Sequence, residues 1–276
     1  MQNLRIVSDN AIRRASVSAS STASAALAVS NLMLDVKSLV HRATGTSVTY
    51  TATWSTAEPV SCVALPFCNL TPSATIRVRG YSDDAGTVQV LDTGTNPACP
   101  AQAILLRGWT ALASASAYAY GGGATARAWF GTVAVKRMVI DIVDAGNAAG
   151  YVEASVLVAG VHWSPVYNPE YGAPLIPVDM TRQFRSDAGD PVFAVGPRYN
   201  KLSLDLRTMP AADRTAMMSI LRGNGMAVPM FISLHPTSSD LELERDHQIY
   251  GNLASISALS ATSFNAYSAP IEIESI

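Results

Sequence analysis

The feature that most constrains this chain is a series of short β-type runs, divided by turn residues, between residue 1 and about residue 165. The runs read SVTYTATW, VSCVALPF, ATIRVRGYS, GTVQVLDTG, VKRMVIDIVD and GYVEASVLVAG, and the segments between them include TPSA, SDDAG and DAGNAAG. Tight turns require the Pro, Asp, Asn and Gly found there. Many short strands with short antiparallel connections predict a jelly-roll β-sandwich over residues 1–165.

Two of these runs also indicate how they are buried. In ATIRVRGYS, Ile76 and Val78 alternate with arginines, which is typical of a strand with one face in water. CVALPF shows no alternation, so we expect it to be buried on both faces, with a bulge or a sheet edge at Pro66.

The second half of the chain predicts a different unit. A Pro-rich arm at about residues 161–180 leads into a smaller α+β domain over residues 166–276. Alternating apolar residues in LSLDL and PIEIESI predict half-buried strands, and PAADRTAMMSILRGNG predicts one amphipathic helix that ends at Gly223. We expect the apolar stripe of this helix to pack on the sheet; the stripe comprises Ala216, Met217, Ile220 and Leu221.

Composition and charge exclude several classes of partner. Only 14% of the 276 residues are charged, so much of the surface is built from small residues, and such surfaces are often covered by neighbouring subunits. The net charge of -2 and the absence of a basic block argue against nucleic acid and against a polybasic membrane contact. No apolar segment resembles a signal peptide or a membrane span, so we expect a soluble protein without membrane insertion.

The thiols and imidazoles favour a structural interpretation. Cys62, Cys68 and Cys99 are expected to be buried free thiols, with the first two on one face if SCVALPFCNL is a strand. The four histidines lie in separate segments without ligand spacing, so we predict neither a metal nor a cofactor.

The carboxylates do not form a catalytic signature. Asp83 and Asp84 are expected in a turn that bonds its own backbone, and Glu153 is interpreted as scaffold that faces solvent, a turn or a neighbouring subunit. A solvated strand face is expected for the three carboxylates of DLELERDH, namely Glu242, Glu244 and Asp246. Nucleophile elbows, phosphate loops and zinc-protease motifs are all missing from the sequence, which predicts that the chain is not an enzyme. A glycan hydrolase stays open as a third option, since it would need two carboxylates roughly 5–10 Å apart in a cleft.

Residues 92–130 form a long segment with weak periodicity and many aromatic side chains. A connection of this length is usually an interaction or functional loop. Three roles remain open: a subunit interface, ordinary packing, or a ligand site that binds a glycan. The candidate contacts are Arg107, Trp109, Tyr118, Tyr120, Arg127 and Trp129.

The first half of the chain resembles the discoidin-like, galactose-binding-type jelly roll. The resemblance lies in AVSNL at residues 28–32, HRATG at residues 41–45, the IRVR strand and the closing DAGNAAGYVE segment, and it covers about 150 residues. It implies a sandwich that binds sugars through the loops at one end.

The C-terminal part resembles tail-tip and baseplate proteins of long-tailed bacteriophages, including distal tail proteins. The resemblance lies in residues 204–223, 231–236 and 267–273. It implies a structural component of the virion tail, made in the host bacterial cytoplasm, which assembles around the tail axis as a trimer or hexamer with hub, tail tube, tape measure or fibre proteins. The candidate hub contacts are Trp163, Tyr167, Tyr171, Met217 and Leu221. The alternative function is a carbohydrate-binding module that recognises a bacterial surface glycan during host attachment.

Overall fold

The computed structural model describes residues 3–100, 124–170, 172–256, 258–263 and 266–276, and the fold is mainly β. In chain order the strands are β1 (Arg5–Val7), β2 (Ser16–Ala19), β3 (His41–Arg42), β4 (Ser47–Cys68), β5 (Thr75–Tyr81), β6 (Gln89–Asp92), β7 (Asn96–Pro97), β8 (Ala124–Val143), β9 (Glu153–Ala154), β10 (Val158–Gly160), β11 (Leu175–Asp179), β12 (Arg182–Arg185), β13 (Pro191–Ala194), β14 (Arg198–Met209), β15 (Met230–Ser233), β16 (Gln248–Leu253), β17 (Ser260–Ser263) and β18 (Ala266–Ser275). The helices are α1 (Ala211–Asn224) and α2 (Leu241–Asp246), and three short 3-10 turns span Ala11–Arg14, Ala25–Leu27 and Val29–Met33. None of the described helices is long and apolar enough to span a membrane.

The first sheet is antiparallel, with the strand order β3-β9-β4-β8-β5-β6, while β2 and β10 also pair with β4 and β7 with β5. Its two long strands, β4 and β8, pair along their whole length but shift register at three places, so the sheet curls around its own core. One of these shifts separates Thr53 from Glu58. SVTYTATW and VSCVALPF, predicted as separate strands, are therefore one bent strand, because the residues between them form a bulge rather than a turn.

The burial of this sheet follows the predicted pattern at two strands. Ile76 and Val78 point into the sandwich core, and the alternating Arg77 and Arg79 pair with Asp92 and Asp141 on the solvent-facing side. CVALPF is buried on both faces, and the register shift between Leu65 and Cys68 confirms the predicted bulge at Pro66.

That bulge also corrects the expectation for two thiols. Phe67 has a positive φ of 57°, which reverses the alternation of the strand. Cys62 consequently packs between the two sheets, whereas Cys68 packs inside the sandwich, so they do not share a face. All three cysteines are free thiols, as predicted.

The closing segment GYVEASVLVAG was also expected to be one strand, and it is two. β9 pairs with β3, β10 pairs with β4, and the residues between them are buried without belonging to a strand. Burial alternates only over residues 151–154. Val152 and Ala154 face the sandwich core, whereas Val156 and Val158 face the layer between the two sheets.

The second sheet is antiparallel with the order β1-β15-β16-β18-β14-β11, and β17 pairs with β18. Met217, Ile220 and Leu221 of α1 pack on this sheet as predicted, whereas Ala216 of the predicted stripe is only half-buried and lies outside the core. Ile271 and Ile273 of β18 are buried. The helix ends two residues later than predicted, at Gly225 with φ 52° rather than at Gly223. β1 belongs to this sheet, although the predicted boundary at residue 165 places it with the sandwich.

DLELERDH is a helix rather than the solvated strand that its alternation suggested. The Asp240 carboxylate accepts the amide hydrogen of Leu243 and caps the first turn. Glu244 then turns inward, where it is 2% exposed. Apolar residues at every second position of a six-residue segment fit a strand and one helical turn equally well, so the cap decides the structure.

An apolar layer joins the sandwich to the second sheet. It contains Val7, Cys62, Ala64, Val156, Val158, Phe231 and Tyr250, with Trp129, Phe67 and Ile276 packed around them. The Tyr250 hydroxyl also donates to Asp35 on the sandwich side at 2.5 Å, and Asp35 pairs with Arg13. The two sheets thus share a continuous buried contact.

A separate hairpin, β12–β13, extends from the end of the β11–β14 ribbon. All eight residues of its two strands are exposed, and the ribbon continues into it through a hydrogen bond from the Met180 amide to the Pro197 carbonyl. Exposed apolar side chains concentrate here: Met180, Phe184, Val192, Phe193 and Val195. We call residues 180–197 the hairpin arm.

Candidate functional site

Several of the predicted contact residues lie outside the described part of the chain. These are Arg107, Trp109, Tyr118 and Tyr120 of the long aromatic segment, and Tyr171 of the Pro-rich arm. Their predicted roles stay predictions.

Arg127, predicted as an interface or glycan contact, faces the second sheet of its own chain. Its guanidinium donates to Glu244 through two hydrogen bonds, Nε to Oε1 at 3.0 Å and Nη2 to Oε2 at 2.7 Å. The side chains are only 13% and 2% exposed. The Glu244 carboxylate also accepts hydrogen bonds from the Thr237 amide and from the Gln248 side chain. This buried ion pair therefore links β8 of the first sheet to α2, within the same chain.

Trp129 occupies the same internal interface. Its ring stacks on Phe231 with centroids 5.8 Å apart, meets the His162 ring edge-on at 5.6 Å, and lies 4.8 Å from the guanidinium of Arg5. Both predicted contacts in the described part of the aromatic segment thus serve packing within the chain, one of the three roles left open above.

The predicted hub contacts are divided between core and surface. Met217 and Leu221 are buried against the sheet and present nothing to a partner, because their helix turns this stripe inward. Trp163 packs beside the same core and forms a bridge with Ile6. Tyr167 is 59% exposed.

Glu153 is held by neighbouring residues at one end of the sandwich. Its carboxylate pairs with Arg42 at 2.6 Å, its amide donates to Asn69, and the Arg42 guanidinium lies 4.2 Å from the Tyr151 ring centroid. The carboxylate is mostly shielded from solvent. This ion pair ties β3 to β9 and gives Glu153 a structural role within the chain.

A cleft of about 670 Å³ opens where the sandwich meets the second sheet. On the sandwich side Lys37, Pro66 and Phe67 line it, together with Ala124 and Thr125 at the start of β8. The other wall comes from β11, β14, the end of α2, the start of β16 and the end of β18. Its residues are Leu175, Pro177, Val178, Asp179, Arg198, Tyr199, Asn200, Arg245, Asp246, Gln248, Ile249, Tyr250 and Ser275. Small-molecule sites in proteins commonly have about 300–1,000 Å³, so this cleft has the capacity of a ligand site.

The cleft combines aromatic rings with planar polar groups. Tyr250 lines the cleft as a residue that is 2% exposed, and its ring is edge-on to Phe67 at a centroid distance of 6.4 Å. Tyr199 is half-buried on the β14 wall. Gln248 adds an amide, and Asp179 and Asp246 add carboxylates. Rings together with an amide and carboxylates give both apolar faces and directional hydrogen bonds.

Backbone strain directs one of these rings into the cleft. Phe67 adopts φ 57°, a left-handed conformation that a bulky residue rarely takes. Such a conformation costs of the order of 1–3 kcal/mol and tends to occur at binding sites. Here the bulge turns the Phe67 ring away from the sandwich core and toward Tyr250.

Nucleophiles and imidazoles elsewhere are placed for structure. Ser61 and His162 share a hydrogen bond of 2.7 Å, but Ser61 is fully buried, so no substrate reaches its hydroxyl. His235 and His247 lie 5.2 Å apart between ring centroids. A cluster of three metal-ligating side chains is absent from the described residues. Burial raises the pKa of the Cys68 thiol to about 11, so this sulfur stays protonated at neutral pH.

No protein-family model matches this chain, and no curated protein matches it. Solved structures that match part of this chain include chitosan-binding module 1 from a chitosanase/glucanase of Paenibacillus sp. IK-5, at 12% identity and a TM-score of 0.37, covering 55% of this chain and 99% of that chain. The CBM32 of AlyQ, in complex with 4,5-unsaturated mannuronic acid, matches at 18% identity and a TM-score of 0.35, covering 52% and 92%. CpGH89CBM32-5 from Clostridium perfringens, in complex with GalNAc-β-1,3-galactose, matches at 6% identity and a TM-score of 0.38, covering 55% and 100%. TM-scores this low assign neither a family nor a ligand to the chain.

Sequence reasoning missed the residues of the cleft. Lys37, Phe67, Tyr199 and Gln248 lie in four distant segments, and none of them belongs to a motif. Pro66 indicated a bulge in the strand, but it did not indicate that the bulge turns the Phe67 side chain toward the cleft.

Proposed function

We propose that this chain binds a carbohydrate in the cleft between its two sheets. The observation that carries the proposal is the composition of the cleft wall, in which the aromatic residues Phe67 and Tyr199 line a volume of about 670 Å³ together with Gln248 and Asp246. A sugar presents apolar C–H faces that pack on aromatic rings and hydroxyls that pair with amides and carboxylates.

The preorganisation of the walls supports the proposal. The cleft is bounded by strands of two hydrogen-bonded sheets, and those sheets are held together by the Arg127–Glu244 ion pair and the Trp129–Phe231 stack. A site on rigid elements loses less conformational entropy on binding than a site on loops. The cleft therefore has fixed geometry before a ligand arrives.

The test is a glycan array probed with the full chain, followed by calorimetry on each hit. We expect Tyr199→Ala to weaken binding by about tenfold or more, because an aromatic contact at the centre of an interface commonly contributes about 2 kcal/mol. Tyr167→Ala is the matched control, since Tyr167 is an exposed tyrosine that does not line the cleft. An array without hits, or hits that are insensitive to Tyr199→Ala, would overturn the proposal.

A second candidate function is that of a structural tail-tip or baseplate component, and the hairpin arm favours it. An isolated two-stranded hairpin is at best marginally stable in water, and this one exposes Phe184 at 55% and Phe193 at 56%. Both observations suit an element that becomes ordered against neighbouring subunits. The paired strands of the arm reach roughly 20 Å beyond the sheet, at about 3.3 Å for each of the residues 180–185.

Sedimentation analysis tests this second candidate. We expect the full chain to form a trimer or hexamer, and a variant with Phe184→Ser and Phe193→Ser to remain monomeric with an unchanged circular dichroism spectrum. A full chain that sediments as a monomer at high concentration would remove the support that the arm provides.

A further inference from the structure

Lys37 is held in place at the rim of the cleft. Its ammonium lies 4.8 Å from the centroid of the Phe67 ring, and its backbone carbonyl accepts a hydrogen bond of 2.7 Å from the Ser155 hydroxyl. The side chain is half-buried against the strained bulge described above. The charge is therefore positioned by the fold instead of moving freely in solvent.

The other cations of the cleft are already neutralised by carboxylates. Arg198 pairs with Asp179 at 2.8 Å, and Arg245 pairs with Glu242 and Asp246.

Lys37 has no such partner among the carboxylates of the described residues. The acid nearest in sequence, Asp35, is engaged by Arg13 and by the Tyr250 hydroxyl, each at 2.5 Å. The aromatic face beneath Lys37 attracts a cation but carries no net negative charge. Burial accordingly lowers the pKa of Lys37, which shows that the surroundings do not compensate its charge.

We infer that the cleft selects an acidic saccharide, one that carries a singly charged oxyanion which pairs with the Lys37 ammonium. The inference rests on the proposed function, since the cleft must first bind a sugar. A carboxylate or a sulfate ester on the sugar would supply the same charge. Its oxyanion would lie at the sandwich side of the cleft, while the Tyr199 wall contacts the ring face.

The charge argument decides between neutral and acidic ligands. A half-buried ammonium without a counter-charge disfavours a neutral occupant that displaces its remaining water, because the ammonium then loses solvation without gaining an ion pair. An acidic occupant supplies that pair together with a charge-assisted hydrogen bond. The preference for acidic over neutral sugars therefore follows from Lys37 alone.

The experiment compares oligogalacturonate, its fully methyl-esterified form and a sulfated oligosaccharide of equal length by calorimetry with the full chain. The esterified form keeps the sugar ring and replaces each charged carboxylate by a neutral methyl ester. We expect oligogalacturonate or the sulfated sugar to bind at least about tenfold more tightly than the neutral ester, and Lys37→Met to abolish that difference. Methionine keeps an unbranched apolar side chain over Phe67, so the packing is retained.

Lys136→Met is the matched control, because Lys136 lies on the sandwich surface with a carboxylate 3.9 Å away and does not line the cleft. If Lys37→Met does not fold, the salt dependence of the wild-type chain serves instead. Affinity for the acidic sugar must then fall with rising salt while affinity for the ester does not.

The outcomes separate the inference from the function on which it rests. Equal affinity for the acidic sugars and the ester, or a preference that survives Lys37→Met, overturns the role of Lys37 and leaves the carbohydrate-binding proposal standing. Absence of binding to every sugar on the array overturns both. Preference for the carboxylate over the sulfate, or the reverse, identifies the source of the charge.

Discussion

At the scale of single residues, the Arg127–Glu244 ion pair is the most consequential contact between the two sheets. Both charges are largely removed from water, and their paired oxygens and nitrogens lie within 3.0 Å. Such a pair adds little net stability compared with an apolar replacement, but removal of one partner leaves a buried charge without compensation.

We therefore expect Glu244→Gln or Arg127→Met alone to lower the free energy of unfolding by about 3–5 kcal/mol. The double variant should lose clearly less than the sum, because neither charge then stays buried alone. Urea unfolding curves measure each value. Arg77→Met serves as the control, since the Arg77–Asp92 pair lies on the solvent-exposed face and its loss should change the free energy of unfolding little. Additive losses in the double variant would contradict this account.

Asp83 organises the turn between β5 and β6 in the way that the sequence predicted. The amide hydrogens of Thr87 and Val88 donate to its carboxylate and hold its pKa at about 2. Because the folded pKa is depressed, the stabilisation is present above the ordinary carboxyl pKa near 4 and is lost as the pH falls toward about 2.

Carboxyl NMR titration should therefore place the Asp83 midpoint near pH 2. Asp83→Asn should accelerate hydrogen exchange of the Thr87 and Val88 amides without unfolding the protein. Asp84→Asn, whose side chain is 63% exposed, is expected to leave both amides unchanged. A midpoint near 4 for Asp83 would show that the turn forms without it.

At the scale of elements, two glycines near the end of α1 have different roles. Gly223 tests helix propensity, and Gly225 tests the backbone geometry at the helix end. Gly223 lies inside the helix with open space around it, whereas Gly225 ends the helix with φ 52° and ψ -145°. Gly223→Ala should raise the free energy of unfolding by about 0.5–1 kcal/mol. Gly225→Ala should lower it by about 1–3 kcal/mol, because alanine is strained in that conformation. Thermal unfolding measures both, and shifts of the same sign would refute the assigned helix end.

β18 is central to the second sheet, because it pairs with β14, β16 and β17. Deletion of residues 268–276 should therefore divide the sheet, with a loss of about 1.5–3 kcal/mol for each buried isoleucine. Replacement of residues 182–194 by a two-residue turn is a longer deletion that removes only exposed hairpin, and the sheet should survive it. Circular dichroism and size-exclusion chromatography distinguish the two variants. A folded, soluble chain without residues 268–276 would be incompatible with this sheet order.

The sequence predicts elements where a local pattern is enough to determine them. Alternation at Ile76 and Val78, alternation in PIEIESI, and the apolar stripe of α1 all lie within a few neighbouring residues, so their burial could be inferred. The sequence pattern could not predict that Cys62 and Cys68 lie on opposite faces, because the left-handed Phe67 between them reverses the alternation of the strand. The cleft is formed by residues far apart in the chain, and only the packing of two sheets brings them together.

At the scale of the whole molecule, the two sheets form one buried interface, and we expect them to unfold together. Calorimetry of the full chain should show a single transition. A fragment of residues 1–165 would retain the sandwich but expose the apolar face around Cys62, Val158 and Trp129. Its β1 would also lack the pairing strand β15. We expect this fragment to aggregate, as measured by light scattering. Two separate transitions, or a monomeric and stable fragment, would indicate independent domains.

The pairing of β1 with β15 also has a consequence for synthesis on the ribosome. Arg5 pairs with Ser233, which follows it by 228 positions (233 minus 5). At about 5–20 residues per second, translation delivers the partner roughly 10–50 s after the N-terminal strand has emerged. The sandwich has all of its own strands long before then. During translation β1 therefore stays unpaired while the sandwich strands are completed, and it can join the second sheet only after β15 has been made.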